Sequence, residues 1–233
     1  SLHDALPICS CPIGALQSIL SSREYKISLY VFGLISLFGV IFGRFICGFL
    51  CPFGLIQDLL FKIPFVKKVR KLKGEKFLRG IRFLILAVFV IILPMFVIDI
   101  TGLGKPWFCK YICPVGTLEG GIPLVLMNEN LRAAVGFLFK WKVAILVGIL
   151  LFSIIIYRPF CRYICPLGAI YGVFNKISFV RYSVDDSKCT KCGVCQKNCK
   201  LNIKVYENPN SIDCIRCGSC KDGCPAKAIK IGK

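Results

Sequence analysis

The chain has 233 residues, of which 56% are hydrophobic and sixteen are cysteines, and its formal net charge is +19. This apolar share exceeds what a soluble domain needs to fill its core, and long apolar runs exclude a small secreted disulfide scaffold. Positive loops beside membrane spans explain much of the charge, so the basic composition does not indicate binding to nucleic acid.

The N-terminal segment, residues 1–26, is predicted to be a truncated copy of a repeat that recurs later in the chain. Ser1 to Pro7 fit neither a signal peptide, which needs a basic and then apolar start, nor the pattern that follows them. We therefore expect a fragment or an unnatural start.

Residues 27–181 are predicted to form a membrane domain, because three apolar stretches approach the ~20 residues that a spanning helix needs. The stretches are Ile27 to about Ile46, Phe83 to about Gly104, and Val143 to about Tyr157. The third is short and should gain length from Phe137 to Trp141 or from Arg158 to Phe160. Pro94 should kink the second span. Between the first two spans, the segment Lys67 to Arg82 holds eight basic residues and one acidic residue. Such a loop should be cytoplasmic, and the C-terminal domain should then lie on the same side.

One motif, C-x3-C-P-x-G, recurs just past the apolar stretches. Intact copies begin at Cys47, Cys109 and Cys161, and a fourth copy matches only from its second cysteine, Cys11. Two thiolates four residues apart can bind two corners of a four-iron cluster, so two copies would complete one site. The proline suits the first position of a helix, whose free N–H groups would then face an anionic cluster.

The predicted topology pairs the first repeat with the third near the cytoplasmic face, and the second repeat with the N-terminal one near the outer face. The first site would use Cys47, Cys51, Cys161 and Cys165, and the second would use Cys109, Cys113, Cys11 and Cys9. The N-terminal copy has Pro7 where a cysteine is expected, so Cys9 stands at a different spacing. Two alternatives remain open for these cysteines, namely packing between helices and zinc binding.

Residues 182–233 predict a small α+β domain of the bacterial two-cluster ferredoxin type. The spacing C-x2-C-x2-C-x3-C occurs twice, although Lys200 stands where a proline usually follows the first copy. In this arrangement three cysteines bind one cluster and the fourth crosses to the other. The expected ligand sets are Cys189, Cys192, Cys195 and Cys224 for one four-iron cluster, and Cys214, Cys217, Cys220 and Cys199 for the other.

With these motifs, the chain resembles the NapH/NosR/CcoG-type membrane ferredoxins. The resemblance implies a mainly α fold of transmembrane helices, with a C-terminal two-cluster domain. It implies a multi-pass protein of the prokaryotic cytoplasmic membrane, with lipid, other redox subunits and quinone as partners. It supports cluster roles for the eight C-terminal cysteines and the three intact repeat pairs.

The favoured function is electron transfer between a quinol or membrane partner and a reductase or maturation system, in which the chain is an electron-transfer subunit without catalytic residues of its own. The alternatives are a reductase of a metal ion such as copper during oxidase assembly, and a cluster-based redox sensor. Two methionines offer few copper ligands. The sole histidine, His3, makes haem unexpected. Asp58 and Glu119, just after repeat motifs, could carry protons to a quinone.

Overall fold

The computed structural model describes residues 12–21, 26–64, 68–69, 74–96, 107–127, 129 and 136–232. Helices dominate this part of the chain, which confirms the prediction of a mainly α fold. The chain divides into two compact units, Ser1–Ile35 with Phe83–Phe152, and Ser36–Arg82 with Ser153–Lys233. The second unit therefore contains the first and third repeats together with all eight C-terminal cysteines.

The first unit is formed by helices. It begins with α1 (Pro12–Ser21) and the start of α2 (Lys26–Phe42). A continuous helical stretch follows, made of the end of α5 (Glu75–Ile85), π1 (Leu86–Ile92) and α6 (Leu93–Phe96). The remaining elements are α7 (Trp107–Tyr111), α8 (Pro114–Gly116), π2 (Thr117–Gly121), α9 (Ile122–Met127) and most of α10 (Phe137–Ile155). Inside this unit the buried side chain of Gln17 donates a hydrogen bond of 2.8 Å to the carbonyl oxygen of Phe89. This bond ties α1 to π1.

The second unit adds short helices and one small sheet. Its elements are the end of α2, α3 (Phe45–Phe49), α4 (Pro52–Lys62), the start of α5, the end of α10, α11 (Pro159–Tyr163), α12 (Pro166–Phe174), β1 (Tyr182–Val184), α13 (Val194–Asn198), α14 (Ser219–Asp222) and β2 (Ile229–Ile231). The two strands pair antiparallel, with Tyr182 opposite Ile231. The hydrophobic core of this unit packs Phe61 and Tyr157 against residues of the C-terminal segment such as Leu201 and Ile215.

Two helices are long and apolar enough to cross a membrane, Phe77–Phe96 with 20 residues and Phe137–Ile155 with 19. Only 22% and 17% of their apolar windows are buried, whereas the core helix of a soluble protein would be mostly buried. The second predicted span thus begins before Phe83, and its predicted end at Gly104 lies outside the described residues. The third gains its extra length on the N-terminal side, where it begins at Phe137.

The first predicted span is shorter than expected. It folds as α2, which has 17 residues and ends at Phe42, and its described apolar part is Phe32–Phe42. The helix ends there because Gly43 has a φ of +56°, in the left-handed region that terminates helices. A Cβ atom at this position would also lie 2.5 Å from Oδ1 of Asn175, so the turn depends on glycine.

A π-helix precedes Pro94, the residue at which a kink is predicted. Proline cannot donate a backbone hydrogen bond, and its ring crowds the carbonyl group four residues earlier. The residues before it form π1, and the N–H group of Leu93 donates to the carbonyl oxygen of Val88, five residues back. The wider helical turn accommodates the proline without ending the helix.

Candidate iron-sulfur sites

The first cavity in the second unit gathers one complete set of four cysteines. Its lining includes Cys189, Cys192, Cys195 and Cys224. Gly193, with a φ of +75°, allows the sharp turn that leads into α13 and places Cys195 on its first turn. The cavity has an empty volume of about 380 Å³ including its mouth. These are the four residues that spacing assigned to one cluster, and their role as ligands remains a prediction.

The second cavity gathers the other set. Its lining includes Cys199, Cys214, Cys217 and Cys220, and its empty volume is also about 380 Å³. Tyr157, two residues after the apolar helix α10, and Tyr182 from β1 lie in its wall. Cys199, the last cysteine of the first motif, therefore lies with the cysteines of the second motif. Cys224, the last cysteine of the second motif, lies with those of the first. This is the crosswise grouping expected from the sequence.

The chemistry of both cavities suits metal bound by thiolates. Burial raises the pKa of the Cys214 thiol to about 11, and it also raises the pKa of Cys195. A buried thiol stays protonated unless a cation stabilises the thiolate, and iron supplies that cation in an iron-sulfur cluster. Within the described residues, no three His, Cys, Asp or Glu side chains form a group that could hold a single metal ion. Four thiols around an open cavity fit the corners of a four-iron cluster.

In every intact repeat, the proline begins a helix and the cysteine before it is the N-cap. The pairs are Cys51 with Pro52, Cys113 with Pro114, and Cys165 with Pro166. All three cysteines have extended backbone dihedral angles, as N-cap residues do. The predicted role of the proline is therefore confirmed, and α1 likewise begins at Pro12.

The structure brings the first and third repeats together. Nε2 of Gln57, on α4, lies 3.6 Å from Sγ of Cys161 in the third repeat. Burial raises the pKa of Cys161 to about 12, and the nearby thiols of Cys51 and Cys47 raise it further. Burial and Cys47 likewise raise the pKa of Tyr171, on α12. Three of the four cysteines predicted for this site therefore lie close together, and the fourth, Cys165, is partly buried on the neighbouring turn.

The second predicted repeat site is only half described. Cys109 is partly buried and Cys113 is buried, and both lie in the first unit with α1. Their predicted partners, Cys11 and Cys9, lie outside the described residues. This second site remains a prediction.

Buried arginines around the repeats are a feature that the sequence analysis missed. Asp213, just before Cys214, pairs with Arg82 at 2.8 Å, Arg79 at 2.5 Å and Arg44 at 3.8 Å. Burial alone would raise the pKa of Asp213, but the charges of the three arginines outweigh it and hold the pKa below its ordinary value. Glu75 pairs in turn with Arg79 and Arg162. The basic segment that precedes the second apolar helix therefore ends in a largely buried ion network.

Asparagine and glycine residues hold the C-terminal segment close to the repeats. Asn175, after α12, donates hydrogen bonds to the carbonyl oxygens of Cys214 at 2.7 Å and Ser211 at 3.0 Å. A Cβ atom at Gly48, inside the first repeat, would lie 2.8 Å from the carbonyl oxygen of Ile215. The cysteine loop of the first repeat is thus in backbone contact with the loop between Cys214 and Cys217.

The carboxylates proposed for proton transfer differ in their surroundings. Asp58 forms an ion pair with Arg158, whose Nε donates to Oδ1 at 2.8 Å and whose Nη2 donates to Oδ2 at 2.6 Å. Glu119 is exposed on π2. Asp58 therefore has a structural partner, which its position in the sequence did not reveal.

The chain matches the sequence family described as "4Fe-4S binding domain" over residues 26–73, 83–122 and 141–181, which is more than half of its length. Each matched segment contains one intact C-x3-C-P-x-G repeat. No solved structure matches the chain.

Among curated proteins, the chain is 29% identical to the ferredoxin-type protein NapH of Haemophilus influenzae, covering 98% of this chain and 76% of NapH. It is 30% identical to the methylamine utilization ferredoxin-type protein MauN of Methylorubrum extorquens, covering 83% of this chain and 61% of MauN. It is 28% identical to the uncharacterized protein MJ0750 of Methanocaldococcus jannaschii, covering 95% of this chain and 85% of that protein. With three matched segments, each built on a cysteine repeat, and relatives of the ferredoxin type, the chain belongs to the 4Fe-4S binding domain family of electron-transfer proteins.

Proposed function

We propose that the protein is a membrane-anchored electron carrier that passes single electrons between a soluble redox partner and a quinone or redox subunit in the bilayer. The observation that carries this proposal is the pair of cavities in the C-terminal segment, each lined by four cysteines. Two complete thiol sets in one small segment suit relay of electrons better than a single structural metal site. The names of the relatives NapH and MauN, both described as ferredoxin-type, support the same class of function.

The residues of the chain would hold the clusters and tune their surroundings. Four-iron clusters bound at these sites would supply one-electron redox chemistry. The thiolates of Cys189, Cys192, Cys195 and Cys224, and of Cys214, Cys217, Cys220 and Cys199, would be their ligands. Cys192 and Cys217 are exposed, so each cavity has one ligand at the protein surface, where a partner can approach. Cys195 and Cys220 are buried and shield the opposite side from water.

The apolar helices support a place in the cytoplasmic membrane. α5 begins and α10 ends in the second unit, so both long apolar helices have one end in the unit that contains the C-terminal cysteines. Arg79, near the start of α5, donates hydrogen bonds to Asp213 at 2.5 Å and to the carbonyl oxygen of Leu201 at 3.2 Å. The basic segment and the cysteine domain therefore share one side, which is the cytoplasmic side under the positive-inside rule.

The proposal predicts electron transfer from water-soluble donors to quinone within the bilayer. In liposomes that contain a menaquinone and the anaerobically purified protein, reduced methyl viologen outside should be oxidised faster than with protein-free liposomes. A Cys214→Ser variant should return the rate to the protein-free value, because the second cavity loses a ligand. The measurement is the decay of the viologen absorbance, with Ser187→Ala as a matched control on the exposed surface. Equal rates with wild-type protein and with protein-free liposomes would contradict the proposed function.

A further inference from the structure

Two arginines join the first and third repeats, because each one donates hydrogen bonds to the repeat to which it does not belong. Arg44 and Arg158 each lie three residues before the first cysteine of their own repeat. Arg158 of the third repeat donates to the carbonyl oxygen of Cys47 at 2.6 Å and to that of Gly48 at 2.8 Å, both in the first repeat. Arg44 of the first repeat donates to the carbonyl oxygen of Cys161 at 3.1 Å, in the third. Each arginine therefore holds the cysteine turn of the opposite repeat.

These arginine contacts also explain the glycine at the end of the C-x3-C-P-x-G motif in the first and third repeats. A Cβ atom at Gly54 would lie 3.1 Å from the carbonyl oxygen of Cys47 and 3.3 Å from Nη1 of Arg158. A Cβ atom at Gly168 would lie 3.1 Å from Nη2 of Arg44 and 3.2 Å from the carbonyl oxygen of Cys161. The glycine of each repeat thus leaves room for the arginine of the other.

Both arginines are buried, and one of them has a donor without a partner among the described residues. Arg44 and Arg158 are each 2% exposed. Nε of Arg44 is buried, and no hydrogen-bond acceptor reaches it within the described part of the chain. A buried donor without a partner is costly, and such atoms often face a bound group. The nearby Cys47 and Cys161, whose thiolates would be anionic when they bind iron, are the natural neighbours of that group.

The carboxylates in this region do not cancel the positive charge. In the described residues of the second unit, Arg44, Arg79, Arg82, Arg158 and Arg162 form ion pairs with three carboxylates, those of Asp58, Glu75 and Asp213. Five cations therefore share three anions. A four-iron cluster with four thiolates carries about two negative charges, which would balance the surplus.

We propose that Arg44 and Arg158 form a reciprocal clamp that joins the first and third repeats into one binding site for an anionic four-iron cluster. The two residues position the turns that carry Cys47, Cys51, Cys161 and Cys165, and they offset the charge of the cluster. The clamp rests on the proposed iron-sulfur function. The second repeat has Pro106 at the position equivalent to Arg44 and Arg158, so its site is built differently.

The clamp is tested by the iron content and redox titration of the full chain, purified anaerobically in detergent. Arg44→Gln and Arg158→Gln should each lose about four iron atoms per chain or shift one electron paramagnetic resonance (EPR) signal to lower potential, because a positive charge beside the cluster is removed. Arg44→Lys and Arg158→Lys keep the charge but lose the planar fork that donates to two carbonyl oxygens, so they should retain an intermediate amount of that iron. In the two Arg158 variants the two signals of the C-terminal clusters should stay unchanged, because Arg158 pairs with Asp58 rather than with Asp213. Lys176→Gln, exposed after α12, is the control.

The outcomes separate the clamp from the wider function. Glutamine variants with wild-type iron content and wild-type potentials would overturn the clamp. If a glutamine variant does not accumulate, the lysine variants decide the matter, and equality with wild type in iron and potentials overturns it as well. A wild-type protein with only the two C-terminal clusters would also overturn it while leaving the proposed electron transfer in place. A wild-type protein without iron and sulfide would instead remove the proposed function.

Discussion

A chain with alanine in place of Asp213 should lose about 3–5 kcal/mol of unfolding free energy, because removal of one partner leaves buried charges without compensation. Asp213 faces Arg44, Arg79 and Arg82, and the side chains of Arg44 and Arg82 are almost fully buried. The measurement is denaturant unfolding in detergent, followed by circular dichroism. Asp186→Ala, at an exposed position, is the control and should change the free energy by no more than about 0.5 kcal/mol.

The same ion network predicts a pH dependence. The arginines hold the folded-state pKa of Asp213 below its ordinary value, so its stabilising contribution is present above about pH 4 and is lost as the pH falls through the lowered pKa. The difference in unfolding free energy between wild type and Asp213→Ala should therefore narrow on acidification. A constant difference from neutral pH down to strongly acidic pH would contradict the ion network, as would an Asp213→Ala variant as stable as wild type.

Serine variants of Cys199 and Cys217 should abolish the same EPR signal, although these residues belong to different motifs. Both line the second cavity, so each substitution removes one ligand of the same cluster and should cost about four iron atoms per chain. Variants Cys192→Ser and Cys224→Ser should abolish the other signal in the same way, because both residues line the first cavity.

The control for this set is Ser187→Ala, which lies outside both cavities. If each motif instead bound its own cluster, Cys199→Ser would remove the signal that Cys192→Ser removes. Loss of the same signal in these two variants would therefore refute crosswise ligation. An unchanged iron content per chain in all four serine variants would show that these cysteines are not cluster ligands and only contribute to packing.

The spacing of cysteines and prolines predicted those parts of the site whose residues lie close together in the sequence. The cysteine intervals predicted both sets of four cysteines that line the cavities, because three cysteines of each set lie within seven residues of one another. The proline after each repeat predicted a helix start, since its ring and missing N–H group fit only the first turn. The end of α2 at Phe42 was not predicted, because Gly43 adopts a left-handed conformation only where the chain packs against Asn175.

Long-range charge contacts could not be predicted in the same way. Arg79 and Arg82 were interpreted as part of a positive loop, and the composition of that loop does not reveal that Asp213, more than a hundred residues later, pairs with both. Asp58 was interpreted as a proton carrier because its partner Arg158 is also far away, 100 residues later in the sequence. One signal was available, since arginine stands three residues before the first cysteine in two of the three intact repeats.

The most direct test of the account is the amount of iron and acid-labile sulfide per chain in anaerobically purified protein, together with EPR of the reduced sample. Two C-terminal clusters and at least one repeat cluster are expected, which corresponds to about twelve to sixteen iron atoms with an equal number of sulfides. About eight iron atoms would restrict the clusters to the C-terminal cysteines. A colourless protein with stoichiometric zinc and no sulfide would contradict the account.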